Sequence, residues 1–201
     1  MSKNLIIVFS KNPIIGKVKS RLAISIGEEK ALKIYKLLIK KTVNVLSDFK
    51  YDIAVFHSDF IPKSKIWKFV KYQKIQNGNN LGIRMKNAFR WGFNKGYDRI
   101  SLIGTDLWEL EKKLIIKSFQ KLKNNDIVFG PTFDGGYYLI GLRKMINSIF
   151  EINSWGTSDV LKNSLKKVIG KDVYLLIKLN DIDNIQDLKN CVELSSLAQI
   201  N

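Results

Sequence analysis

The sequence predicts an α/β fold with a mostly parallel central sheet, and three observations carry that prediction. Short continuous apolar runs alternate with longer stretches of helical period. The first run, residues 5–9, shows no polar alternation. It opens directly into a basic, glycine-containing loop at residues 10–22. A strand with no polar face is one covered on both sides, as in a parallel sheet. Open α/β sheets bind anionic ligands just beyond the carboxyl ends of their strands, where this loop lies.

The remaining elements follow from local pattern. Ala31, Leu32, Ile34, Tyr35, Leu38, Ile39, Val43 and Leu46 recur at three- and four-residue spacings, predicting a long amphipathic helix over 28–46. Residues 53–56 read as a second strand, 63–70 as a short helix and 72–75 as a third strand. Asn77-Gly78-Asn79-Asn80 supplies turn chemistry and an N-cap for a helix over 81–95. A strand over 99–104 is followed by a returning helix over 110–122, and a strand over 127–129 ends at Gly130-Pro131. Then come a β-rich run at 136–142, a helix at 160–168, a last strand at 173–179 and a terminal helix at 184–198. No repeat, low-complexity tract or linker interrupts the series, so residues 1–201 read as one domain.

Composition narrows the partners. The chain is 45% hydrophobic, 11% aromatic and 26% charged, ordinary for a globular protein, but its net charge is +16. Such a charge suits nucleic acid, an anionic membrane surface or a polyanionic substrate. Here the lysines are spread along the whole chain, and Lys, Asn and Ile, all abundant, share AT-rich codons, so genome bias accounts for the excess and no specific nucleic acid is expected. A basic nucleic-acid or phosphate-binding module would also expose aromatics among its lysines, whereas Phe9, Phe56, Phe129 and Tyr138 fall in strand patterns. Cys191 is the single cysteine, which excludes an intramolecular disulfide or a cysteine-cluster metal site and fits a cytoplasmic protein. No signal-peptide pattern is present, and no segment approaches the roughly 20 apolar residues of a membrane span.

Several clusters are candidates for chemistry. Lys11, Lys17, Lys19 and Arg21 surround Gly16 in the first loop, where Pro13 fixes one φ and Gly16 lets backbone approach a ligand. This reads as a phosphate site, with Arg21 as the bidentate cation, or as a solvated turn. Asp106 closes the run Ser101-Leu102-Ile103-Gly104-Thr105-Asp106 on the same sheet edge, and is either a helix cap or a Mg²⁺ ligand opposite the loop cations. Asp181 and Asp183 would share one side of an extended segment and form the second half of a metal site, or Asp183 or Asn184 would cap the terminal helix. Asp134-Gly135-Gly136 either joins two strands or presents Asp134 to an acceptor hydroxyl, with glycines that admit a ligand. In the segment from Gln76 to Met85, amides suit a nucleobase and Arg84 a phosphate, although capping and solvation explain them nearly as well. His57 and Cys191 have no readable partners for a nucleophilic triad, and Trp155 reads as core or as a lid aromatic.

Taken in order, Lys11-x-Pro13-x-x-Gly16-Lys17-x-Lys19-Ser20-Arg21-Leu22, Gln76 with Leu81-Gly82-x-Arg84-Met85, Gly104-Thr105-Asp106, Gly130-Pro131 with Asp134-Gly135-Gly136-Tyr137-Tyr138, Trp155, and Asp181-x-Asp183 with Asp187-Leu188 span almost the whole chain. This ordered set resembles a bacterial family of GT-A-fold transferases grouped with nucleotide-diphospho-sugar transferases, the radical-SAM/selenodomain-associated or arsenosugar-biosynthesis glycosyltransferases. The resemblance implies a Rossmann-like GT-A sheet with helices on both faces, a divalent metal (Mg²⁺ or Mn²⁺) and a nucleotide-activated donor. It places Gly16, Lys19 and Arg21 at the donor's phosphates, Gly82 and Arg84 at the nucleotide, and Asp106 and Asp183 at the metal; beside them the residues themselves make Lys11, Gly135 and Gly136 candidates at the nucleotide and its phosphates, and Asp106 and Asp134 candidates for the chemistry. The chain departs from the family pattern at Asn80, where Asp is common, at Ser20, where Thr is common, and at Leu107-Trp108, where Cys-Pro is usual. Two reactions fit these parts: glycosyl transfer from a nucleotide sugar to a small acceptor, and nucleotidyl transfer from an NTP to a phosphate or phosphonate with release of pyrophosphate.

Overall fold

The apolar run of the N-terminus forms the centre of the sheet. In a computed structural model describing residues 3–198, that run is β1 (Asn4–Ser10), followed by α1 (Ser20–Ile26), α2 (Glu28–Leu46), β2 (Asp52–His57), β3 (Tyr72–Ile75), α3 (Leu81–Asn94), β4 (Arg99–Ile103), α4 (Lys112–Lys121), β5 (Ile127–Pro131), β6 (Tyr137–Leu142), α5 (Val160–Lys166), β7 (Val173–Leu175), α6 (Ile185–Asn190) and α7 (Val192–Ala198). The strands form a seven-stranded sheet in the order β3-β2-β1-β4-β6-β5-β7. β6 runs antiparallel to β4 and β5, and every other neighbouring pair is parallel. The parallel strands therefore all end on one edge.

Both faces of the sheet are covered, as the missing polar alternation requires. Ile6 and Val8 pack with Tyr35, Ile39 and Leu46 of α2 and with Leu114, Ile115 and Phe119 of α4. Leu5, Ile7 and Phe9 pack on the opposite face with Met85, Ala88 and Phe89 of α3. Phe9, Phe56, Phe129 and Tyr138 are all buried. A third cluster joins Leu22 of α1, Ala31, Ile34 and Leu38 of α2, Leu188 and Leu194 of the last two helices, and Ile182. It sets the segment after β7 beside the basic loop.

The structure corrects several element boundaries. α1 is absent from the sequence reading because its two turns follow a loop whose charges mask the period, and it starts after Lys19 in left-handed backbone, φ 51° and ψ 44°. The expected helix at 63–70 is a three-residue 3₁₀ turn, Lys65–Trp67, capped by the Ser64 hydroxyl, and a second such turn covers Asn147–Phe150. The last strand stops at Leu175 and continues only as an isolated bridge between Thr132 and Leu179. The terminal helix breaks at Cys191, whose φ of −104° and ψ of 76° are not helical, and α6 begins with a full capping box between Asn184 and Asp187.

Candidate functional site

A cleft opens where the parallel strands end. It has two lobes of about 410 and 620 Å³ that share Lys11 from the end of β1, Tyr35 from α2, Asp106 from beyond β4, and Tyr138 from β6. The first lobe gathers Lys19, Arg21, Asp106, Asp134, Gly136, Trp155, Asp181 and Asp183. The second takes in Asn12, Asp59, Gln76 and Arg84.

In the first lobe the predicted cations meet the predicted carboxylates. The Lys19 ammonium, its side chain 5% exposed, pairs with Asp106, and Arg21 Nη1 lies 3.0 Å from Asp183 Oδ2. Three connections fix this register. Leu22 and Ile182 lie in one apolar cluster, and Arg21, next to Leu22, and Asp181 and Asp183, on either side of Ile182, line the cleft. The Ile182 N–H donates to the Asp106 carbonyl at 2.9 Å, and the Phe133 N–H donates to the Leu179 carbonyl at 3.1 Å. Asp181 is the most perturbed of the acids. Burial pushes its carboxyl up to about 6, and the nearby Asp134 and Asp106 charges act the same way against Lys19. A cation in this lobe therefore answers a local excess of carboxylates.

Asp134 is held by the turn it makes. Its Oδ1 accepts from the Thr132 hydroxyl and, at 3.0 Å, from the Gly136 N–H, which presents the carboxylate along the lobe wall. In the second lobe Arg84 Nε donates to the Gly78 carbonyl at 2.9 Å and Gln76 Nε2 to the Phe56 carbonyl at 3.0 Å, so both side chains also shape the loop that carries them. Asn80 caps α3 by accepting from the Ile83 N–H at 2.9 Å, as the turn chemistry predicts.

Three glycines stand behind the cleft walls. A Cβ on Gly82 would fall 2.4 Å from Trp155 Nε1 and 2.7 Å from the Phe150 carbonyl oxygen, so this glycine seats the tryptophan on α3. A Cβ on Gly135 would fall 1.9 Å from the Ser158 carbonyl oxygen, so the residue admits the 154–159 loop. Gly16 turns the basic loop at φ 74° beside the Glu28 carboxylate. Lys11 and Gly136 do line the cleft.

Asp106 and Asp183 face one lobe, and one or two carboxylates completed by substrate phosphates are the ligand set Mg²⁺ commonly takes. Among the described residues no group of three or more His, Cys, Asp or Glu is arranged to hold a metal ion. A divalent ion here would complete its coordination with water or with substrate oxygens.

This architecture is the fold of nucleotide-diphospho-sugar transferases and cytidylyltransferases. Residues 45–157 match the family described as an uncharacterized protein conserved in bacteria, DUF2064, and the chain belongs to that family. A proposed nucleotide-diphospho-sugar transferase of Desulfovibrio desulfuricans G20 is 32% identical and superposes with a TM-score of 0.88 over 97% of this chain and 88% of its own. A cytidylyltransferase of Leptospira borgpetersenii serovar Hardjo-bovis (strain JB197) shares the fold at 14% identity, TM-score 0.60, over 99% and 94% of the two chains. The 4-diphosphocytidyl-2C-methyl-D-erythritol synthase of Anaerococcus prevotii DSM 20548 does so at 10% identity, TM-score 0.61, over 98% and 99%. No curated protein matches the chain.

Proposed function

We propose that the chain is a metal-dependent transferase that uses a nucleotide-activated donor, moving a sugar from a nucleotide-diphospho-sugar to a small acceptor. The observation that carries this reading is the convergence of Lys19 and Arg21 on Asp106 and Asp183 at the carboxyl edge of the sheet. A phosphate entering the lobe takes the two cations as charge-assisted donors. Asp106 and Asp183 would hold Mg²⁺ or Mn²⁺, which would neutralise charge developing on the leaving diphosphate. Gln76 and Arg84 place the nucleoside in the second lobe, and Asp134 faces the acceptor hydroxyl. The acceptor oxygen bonds to the anomeric carbon as its proton passes to Asp134 and the bond from that carbon to the diphosphate oxygen breaks, with Lys19 and Arg21 stabilising the departing charge. The radical-SAM-associated and arsenosugar branch that the motifs resemble supports sugar transfer.

A second reading has its own support. Asp106 stands without an Asp-x-Asp triplet, and the basic loop resembles the triphosphate clamp of guanylyltransferases. In that case an acceptor phosphate attacks the α-phosphorus of an NTP and pyrophosphate leaves. Incubation with nucleotide sugars and with NTPs, each with Mg²⁺ or Mn²⁺ and a panel of small hydroxyl and phosphate acceptors, separates the two. Release of nucleoside diphosphate supports glycosyl transfer, and release of pyrophosphate supports the second reading. Failure to turn over or bind any nucleotide contradicts both.

A further inference from the structure

Tyr35 lies on the buried face of α2, 1% exposed, and its hydroxyl reaches through the core to the cleft floor, where it borders both lobes. The Lys11 N–H donates to it at 2.8 Å, its oxygen lies 3.2 Å from the Lys11 carbonyl, and Thr105 Oγ1 is 2.9 Å away. One assignment satisfies every atom. The Tyr35 O–H donates to the Lys11 carbonyl, and its two lone pairs accept from the Lys11 N–H and the Thr105 hydroxyl. Lys11 begins the basic loop after β1, and Thr105 precedes Asp106 after β4. Tyr35 thus joins, through one oxygen, the two strand ends whose side chains meet in the first lobe. β1 and β4 pair only as far as Val8 and Ile103, so no ladder hydrogen bond sets this distance.

We propose that Tyr35 is a positioning residue, which fixes the phosphate loop against the Asp106 strand end so that Lys11, Lys19 and Asp106 are held in place before substrate arrives. The claim rests on the nucleotide-transferase reading above. A phenol that only packed on the helix core face would bear on stability alone, which the test below separates from positioning. Burial, with the Asp106 charge adding to it, pushes this phenol up to about 12, so it is a neutral donor across the physiological range.

The test is Tyr35→Phe, which keeps the ring, and Thr105→Val, which removes the same hydrogen bond from the other side. Each is followed by thermal unfolding, amide hydrogen exchange, and calorimetric titration with CTP, GTP and UDP-glucose in Mg²⁺ well below the unfolding midpoint. The expected result is faster exchange at the Lys11 amide, roughly tenfold weaker binding of whichever nucleotide wild type takes, and a double variant no worse than the weaker single one. Either variant remaining folded and binding within twofold of wild type overturns the proposal, even if its midpoint falls. Wild type that binds none of the nucleotides overturns the transferase reading, and the positioning role with it.

Discussion

Lys19 is the residue on which the cleft turns, because it carries positive charge into a lobe lined by four aspartates, Asp106, Asp134, Asp181 and Asp183. It pairs with Asp106 and would compete with a metal ion for that carboxylate. Two effects of Lys19→Ala therefore have opposite sign. Nucleotide affinity should fall by one to two orders of magnitude, the equivalent of about 1.5 to 3 kcal/mol for a charge-assisted contact. Mn²⁺ affinity of the nucleotide-free protein, read by electron paramagnetic resonance, should rise several-fold to roughly tenfold as a nearby positive charge is removed. Arg21→Ala should weaken the nucleotide likewise, and Arg21→Lys should not restore it fully, since an ammonium lacks the planar fork. Lys121 at the end of α4, which lies over the Tyr174 ring of β7, serves as the control. Equal nucleotide affinities in all these variants would reduce the loop to a solvated turn. At this scale the sequence identified the cations and carboxylates because their types and their places after strands are chemically distinctive. It did not single out Tyr35, which has the same spacing as its packing neighbours on α2, nor that Gly82 and Gly135, read as admitting a ligand, also make room for Trp155 and for the Ser158 carbonyl.

The element that closes the cleft is the 154–159 loop, and α3 is shaped to receive it. Trp155 Nε1 is buried without a hydrogen-bond partner against Gly82, and the indole meets Tyr137 edge to face at 6.5 Å between ring centroids. An ordinary helical Gly→Ala change gains about 1 kcal/mol from propensity. Gly82→Ala should instead lower the unfolding midpoint and shift tryptophan emission to the red, because its methyl group evicts the indole. A stabilised variant with an unchanged spectrum would show that the loop does not rest on this glycine. Strands and the long α2 were legible as elements because period and burial agree over many residues. α1, the 3₁₀ turns and the break at Cys191 were not, since each spans too few residues to establish a period against its flanking charges.

Across the whole molecule, one sheet edge gathers strand ends that are far apart in sequence, which is why an ordered set of individually weak motifs could describe a single cleft. The antiparallel β6 was not legible, because Tyr137–Leu142 reads as a strand whichever way it runs. No helix among the described residues is long and apolar enough to cross a membrane. Stability should also carry a histidine signature. Burial holds the His57 imidazole below its usual 6.5, against the hydrogen bond that its Nε2–H donates to Gln73 Oε1, which acts the other way. As pH falls below 6.5, the unfolded chain takes up a proton that the folded chain resists, so this contribution is lost on the acid side. Asp181, pushed up to about 6, has the opposite sign, because its folded carboxyl holds a proton that the unfolded one releases above 3.8. The unfolding midpoint of wild type minus that of His57→Gln should therefore shrink between pH 7 and pH 5. A constant difference would mean that His57 titrates alike in both states.

Transfer chemistry in this cleft requires that it hold a nucleotide through Asp106. The direct measurement is calorimetric titration of wild type and Asp106→Ala with nucleoside triphosphates and nucleotide sugars in Mg²⁺, with thermal unfolding of both proteins. Asp106 follows β4 at the open edge of the sheet with its carboxylate in the cleft, so its removal should leave the fold intact. Wild type should bind a nucleotide, and Asp106→Ala, folded to the same midpoint within a few degrees, should lose that binding. Equal affinity in the two proteins, or a variant altered by only the about 0.5 to 2 kcal/mol of stability that a helix cap supplies, would contradict it.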